Sequence, residues 1–285
     1  VVGFLGPNGA GKSTTMNLLC GYLTPSWGQV KIAGIDMVEN PLEAKRHIGY
    51  LPEIPPLYMD MTVAEQLEFA CELRGLKLKK PQLRDYIDSL CARTQVLDTR
   101  DRLIRNLSKG YRQRVSVTQL LVGEPEILIL DEPTVGLDPR QIREFRDLLS
   151  ELSHEHTIIL SSHILSEISS VCKRILVFYE GMLIADGEPQ SLQEQLAGHR
   201  VLEVEISGEE AGVSALLQGI PDVLAVKPVG NGVYQVAHRM GTDIRGALYR
   251  TLRPTGYELL MMKPEEVSLE SLYLRITEHE QEMEA

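Results

Sequence analysis

Short apolar runs alternate with stretches of helical periodicity along the first two thirds of the chain. Val1-Val2-Gly3-Phe4-Leu5 reads as a buried strand, and Thr14 to Leu19 as the helix that follows it. Gln29 to Ala33 predicts a short strand, Pro41 to His47 a short helix, and Ile48 to Pro52 a strand closed by its proline. Pro55 and Pro56 then block helix. Thr62 with Glu65 three positions on forms a capping box ahead of an amphipathic helix. A second helix is expected over Pro81 to Arg93 and a third over Val115 to Val122. Ile127-Leu128-Ile129-Leu130, four apolar residues in a row, marks a strand buried on both faces. Arg140 to Leu152 reads as a helix, Thr157 to Leu160 as a buried strand, and Ile164 to Val171 as a helix. Arg174 to Phe178 and Met182 to Asp186 make a hairpin about Glu180-Gly181. Strands alternating with helices predict a parallel α/β sheet, with a helical insert at about residues 54–122.

The pattern changes near Gly198. Leu202, Val204 and Ile206 alternate with Glu203 and Glu205, a strand buried on one face. A helix (Glu209 to Gln218) and a strand (Asp222 to Lys227) follow, then the hairpin signal Gly230-Asn231-Gly232 with a return strand from Val233 to Ala237. A helix (Thr242 to Leu252) and a strand (Tyr257 to Lys263) complete the order βαββαβ. That order predicts a small α+β ferredoxin-like domain over residues 199–285. A last helix, Ser268 to Thr277, is expected to lead into an acidic tail.

Charge and cysteine usage narrow the partners. The 285 residues carry a formal net charge of −11, with acidic residues concentrated near the C-terminal end. A general nucleic-acid surface needs clustered Lys and Arg, so no nucleic-acid partner is expected. Cys20, Cys71, Cys91 and Cys172 are scattered without C-x-x-C spacing and are expected as reduced, buried thiols. No apolar run approaches the roughly 20 residues that span a bilayer. The chain opens directly on a strand that should need sheet neighbours from upstream, so a further N-terminal segment is expected.

The candidate chemistry begins where that strand ends. Gly6-Pro7-Asn8-Gly9-Ala10-Gly11-Lys12-Ser13-Thr14 fits the phosphate-binding pattern G-x-x-x-x-G-K-[S/T], here between a strand and a helix as the motif requires. The glycines let successive N–H groups curl toward phosphate oxygens, and the helix N-terminus adds positive potential. Lys12 would reach the terminal phosphates and the Ser13 hydroxyl would ligate Mg²⁺. Asp131 ends the buried strand and can hold Mg²⁺ directly or through water. Glu132, next to it, can polarise an attacking water. His163 lies at the carboxyl edge of the sheet, where α/β ligands bind, and is a candidate γ-phosphate contact. The remaining histidines lack such context.

These stretches, together with Glu53 after Tyr50-Leu51-Pro52, Leu107-Ser108-Lys109-Gly110 and Gly136-Leu137-Asp138, occur in the order found in ABC transporter nucleotide-binding subunits. The chain resembles that family over about residues 1–190, a P-loop NTPase fold expected here over residues 1–198. The part after residue 198 is similar to the small domain appended to ATPases of ABC-2-type exporters, including the helix from Ser268-Leu269-Glu270 to Leu274. The form Tyr50-Leu51-Pro52-Glu53 is also similar to that subgroup, gliding-motility-type ATPases among them.

The resemblance implies ATP and Mg²⁺ as ligands and ATP hydrolysis coupled to export. It implies a head-to-tail homodimer or heterodimer in which Leu107, Ser108, Lys109 and Gly110 face the γ-phosphate held by the other subunit, with Asp138 across the same interface. It further implies separate integral membrane permease subunits and a cytoplasmic, peripheral position on the inner face of the membrane. Glu53 stands where the family usually has Gln; it is expected to touch metal-bound water and to act in catalysis. Lys109 and Tyr111 replace the usual Gly and Gln of the signature. The aromatic residue that stacks on adenine in the family would lie upstream of Val1. Apolar residues on the loop Ile54 to Met59 suggest either a groove for a permease helix or local packing of the insert. An ABC ATPase acting on ribosomes or DNA is the alternative reading.

Overall fold

The computed structural model describes residues 1–192, 199–239 and 241–265. The chain forms two compact units, Val1–Gly187 and a second that begins at Glu188.

The first unit is built on a six-stranded sheet. Its strands are β1 (Val2–Leu5), β4 (Ile48–Leu51), β5 (Ile127–Leu130), β6 (Thr157–Ser162), β7 (Arg174–Tyr179) and β8 (Met182–Gly187), in the order β4-β5-β6-β1-β7-β8. Every pairing is parallel except β7 with β8, a hairpin whose turn residues Glu180 and Gly181 both have positive φ. β5 has the run Ile127–Leu130 because it lies inside the sheet and is buried along most of its length. β1 is also interior, with Val2 beside Ile159 of β6 and Arg174 of β7. Both of its neighbours come from later in the chain, so the expectation that they must come from upstream is corrected.

Helix α1 (Lys12–Leu19) follows β1, α2 (Pro41–Arg46) precedes β4, and α6 (Pro139–Leu152) and α7 (Leu165–Ser169) link the later strands. The helical insert contains α3 (Val63–Leu73), α4 (Lys80–Arg93) and α5 (Lys109–Leu120). At α3 the capping box forms as written: Glu65 N–H donates to Thr62 Oγ1 at 3.2 Å, and Thr62 N–H donates to Glu65 Oε2 at 2.8 Å.

Two local expectations are corrected. Gln29 to Ala33 is not one strand. The chain reverses at Ala33-Gly34, both at positive φ, to pair β2 (Lys31–Ile32) with β3 (Ile35–Asp36). Helix α5 begins at Lys109 rather than Val115, because Ser108 supplies an N-cap and accepts from Tyr111 N–H.

The second unit has the order β9 (His199–Ser207), α8 (Glu210–Gln218), β10 (Val223–Gly230), β11 (Val233–Arg239), α9 (Arg245–Leu252), β12 (Glu258–Glu265). Its sheet, β10-β11-β9-β12, is antiparallel throughout and has the ferredoxin-like arrangement. Alternation in β9 and β11 turns Leu202, Val204, Ile206, Tyr234 and Val236 onto Val213 and Leu217 of α8 and Leu248 and Leu252 of α9. The predicted helix Ser268 to Thr277, with its Ser268–Leu274 motif, and the acidic tail lie outside the described residues.

Candidate functional site

The cradle forms where β1 runs out. Gly6 passes so close to β7 that a Cβ there would sit 2.5 Å from the Phe178 carbonyl oxygen. Gly9 and Gly11 take φ of +85° and +98°, a region that glycine enters at no steric cost. The loop is braced from below, since Gly181 N–H in the β7–β8 turn donates to Ala10 O at 3.1 Å. Helix α1 then starts at Lys12, with its N-terminus toward the loop. Lys12 is 5% exposed, and its Nζ donates to Gly6 O at 2.7 Å and Pro7 O at 3.0 Å.

The acidic pair arrives from β5. Leu130 pairs with Leu160 of β6, so Asp131 emerges beside Ser161. Ser161 Oγ donates to Asp131 Oδ1 at 2.6 Å and accepts from Glu132 N–H at 2.8 Å. Glu132 has φ +47°, a left-handed conformation that costs a residue with a Cβ about 1–2 kcal/mol. Its carboxylate lies between two cationic or hydrogen-bonding partners. Lys12 Nζ is 3.6 Å from Oε1, and His163 Nδ1 is 2.9 Å from Oε2. His163 is partly exposed just past β6.

One cleft of about 370 Å³ gathers most of these groups, while Asp131 is buried outside its lining. Its lining comprises Pro7, Asn8, Gly9, Gly11, Lys12, Ser13, Thr14, Glu53, Glu132, Val135 and His163. Ala10 is buried behind it. No cluster of three or more His, Cys, Asp or Glu among the described residues is arranged as a metal cage. Mg²⁺ does not need one, since it usually takes one or two carboxylates together with substrate phosphates and water. The oxygen donors Ser13, Asp131 and Glu53 suit that hard cation, and Asp131 has only one carboxylate oxygen engaged by Ser161.

The signature stretch belongs to a different surface. Leu107 is buried packing, while Ser108 caps α5 and puts Lys109 and Gly110 in its first turn. Lys109 reaches across the Gly136 turn, where any Cβ would collide with its Nζ, and Gly110 faces the Gln141 side chain. Asp138 caps α6, accepting from Arg140 N–H and Gln141 N–H, each at 2.9 Å. Ser108, Gly110, Leu137 and Gln141 line a second cleft of about 480 Å³. None of Leu107–Gly110 lines the cleft at the phosphate loop.

Sequence reasoning singled out Ser162 with His163 but gave no role to Ser161 and foresaw none of the side-chain contacts that follow. Ser161 joins Asp131 to Glu132, while Thr134 Oγ1 and Ser162 Oγ both donate to Glu167 Oε2. The parallel register of β5 and β6 carries the first of these contacts, and no motif spacing encodes it. His156 is buried outside the cleft lining, and His238 is buried within the second unit.

Residues 1–135 match the family model described as ABC transporter. The chain is 32% identical over 278 residues to the bacitracin transport ATP-binding protein BcrA of Bacillus licheniformis, covering 97% of this chain and 88% of that protein. It is 31% identical over 279 residues to Nod factor export ATP-binding protein I of Rhizobium meliloti (strain 1021), covering 98% and 80%. Among solved structures it is similar to cbiO1 from Clostridium perfringens, described as part of the ABC transporter complex cbiONQ. That match has a TM-score of 0.63 and 31% identity over 68% of this chain and 79% of that one. A P-loop fold, a nucleotide cradle and relatives of this length and identity converge on one conclusion: the chain belongs to the ABC transporter ATP-binding proteins.

Proposed function

We propose that this ATPase is the motor subunit of an ABC-type exporter. Two copies, or one copy and a related ATPase, close on two ATP molecules and pass the stroke to separate integral membrane permease subunits. Residues 1–198 would form the ATPase domain and 199–285 an accessory domain. Among the described residues no helix is long and apolar enough to cross a membrane, so the transport path would belong to the permease. The chain would work peripherally on the cytoplasmic face.

The observation behind the reading is that Glu132 stands at the mouth of the phosphate loop, held between Lys12 and His163. Gly6 to Thr14 would wrap the phosphates with backbone N–H groups and the N-terminus of α1. Lys12, already aimed into the loop, would shift from carbonyl partners to phosphate oxygens. Glu132 would orient the attacking water and accept its proton. His163 would donate to Glu132 and contact the γ-phosphate. Mg²⁺, held by Ser13 and Asp131 with Glu53 on its water shell, would neutralise charge on the phosphate oxygens. The exposed N-terminus of α5, with Ser108, Lys109 and Gly110, would serve as an anion site, and no phosphate-loop residue lines its cleft. A second copy would supply the nucleotide.

The apolar side of the insert supports permease docking. Ile54 and Leu73 are largely exposed, and a cleft of about 240 Å³ runs past Leu51, Pro56 and Leu73. The relatives named above are transport ATP-binding proteins, which favours this reading over action on ribosomes or DNA. The test is sedimentation of the Glu132→Gln variant with ATP. A stable dimer with little turnover is expected, and a monomer with unchanged turnover would overturn the mechanism.

A further inference from the structure

Ser161 has no side-chain exposure, and its one hydroxyl serves both acidic residues of the site. A serine oxygen has one proton to give and two lone pairs. Here the proton goes to Asp131 Oδ1 at 2.6 Å, and a lone pair takes the Glu132 N–H at 2.8 Å. The first bond fixes the rotation of the Asp131 carboxylate and leaves Oδ2 as the oxygen free of it. The second ties down the backbone of Glu132 where φ is +47°, against its own preference. That backbone aims the Glu132 side chain at Lys12 and His163.

We propose that Ser161 is a positioning residue that sets the metal-facing orientation of Asp131 and the left-handed backbone of Glu132 through one shared hydroxyl. The inference rests on the reading that Asp131 takes part in holding Mg²⁺ with the nucleotide. Partners that orient a metal-ligating carboxylate typically matter by about 10- to 100-fold in metal affinity. The neighbour provides an internal contrast. Ser162 is equally buried on the same strand, but its hydroxyl serves Glu167 and Ile164 N–H and touches neither Asp131 nor Glu132. If burial of a polar group on β6 were all that mattered, the two serines would behave alike.

The experiment measures Mn²⁺ binding to the full chain by electron paramagnetic resonance with saturating ADP, alongside ADP binding in EDTA. Ser161→Ala should weaken Mn²⁺ binding about 10- to 100-fold while metal-free ADP binding stays at the wild-type value. Ser161→Cys, close in size but a weak hydrogen-bonding group, should shift Mn²⁺ affinity the same way and serves if the alanine variant does not fold. Ser162→Ala should keep wild-type Mn²⁺ affinity. Wild-type Mn²⁺ affinity in the folded Ser161 variant, or equal weakening in Ser162→Ala, would overturn the inference alone. A wild-type chain that binds ADP but no Mn²⁺ would overturn both the inference and the metal reading beneath it.

Discussion

His163 Nδ1 lies 2.9 Å from Glu132 Oε2, although 31 positions separate the two residues in the chain. The contact joins the ends of β5 and β6 across the mouth of the phosphate loop. It gives the carboxylate a donor on one side while Lys12 attracts it from the other. Glu132→Gln keeps the shape but removes the proposed base, so turnover should fall by about 10²- to 10⁴-fold with ATP binding retained. His163→Ala should lower kcat more than it raises KM for ATP. Steady-state phosphate release checks both, and unchanged kcat in either would remove that residue from the chemistry.

Gly6→Ala tests the cradle itself. The added methyl would meet the backbone carbonyl of Phe178, which cannot swing aside as a side chain can. Overpacking of this kind typically costs about 1–3 kcal/mol. Both Tm and nucleotide affinity should drop, whereas Gly9→Ala, whose Cβ would meet nothing within 4 Å, should suffer only from its positive φ. Equal losses in the two variants would show that crowding against β7 is not the constraint.

The four cysteines should be inert in the native state. Burial pushes the thiols of Cys20 and Cys172 up to about 12, and those of Cys71 and Cys91 up to about 11, from an ordinary value near 9. A thiol-specific disulfide reagent at pH 8 should label none of them until the chain unfolds. Above pH 9 the unfolded chain loses thiol protons that the folded chain keeps. The unfolded state then binds fewer protons, so stability should fall as pH rises from about 9 toward 11–12. Rapid labelling of folded protein would contradict the burial.

Ile54→Glu probes the proposed docking surface. Ile54 is 84% exposed, so the change should leave folding stability within about 0.5 kcal/mol of wild type and basal ATPase unaltered. Co-purification with the permease and transport should be lost. Loss of ATPase together with transport would point instead to packing within the insert.

Lys109→Glu reverses the charge on the exposed face of α5. ATP-driven dimerisation of a Glu132→Gln background should weaken, most strongly at low salt, where an exposed charge acts over a longer range. ADP binding to the monomer should stay unchanged. A dimer of undiminished stability would place Lys109 outside the contact.

Much of the α/β unit was legible because buried parallel strands are written as apolar runs, and Ile127–Leu130 is unmistakable. The Thr62–Glu65 box announced its own helix. The start of α5 was harder. Lys109 to Arg114 is a polar stretch without apolar periodicity, and the Ser108 cap decides the boundary. The β2–β3 reversal turns on Ala33 at positive φ, a conformation that alanine does not advertise. Ser161 was illegible for a different reason. It meets Asp131 only through strand register, a long-range property that a local pattern does not contain.

The interior position of β1 has a consequence for synthesis. The strand that carries the nucleotide loop leaves the ribosome at the start of this sequence, yet both of its hydrogen-bonding neighbours are made more than 150 residues later. The Gly181 N–H that braces Ala10 comes later still. During translation the loop therefore waits without its platform, and contacts this far apart in sequence are slow to form. Nucleotide-binding competence should switch on late and abruptly, when the β7–β8 turn has cleared the exit tunnel. Stalled chains ending before Thr157 should remain unable to retain nucleotide and should depend on chaperones to shield the apolar face of β1.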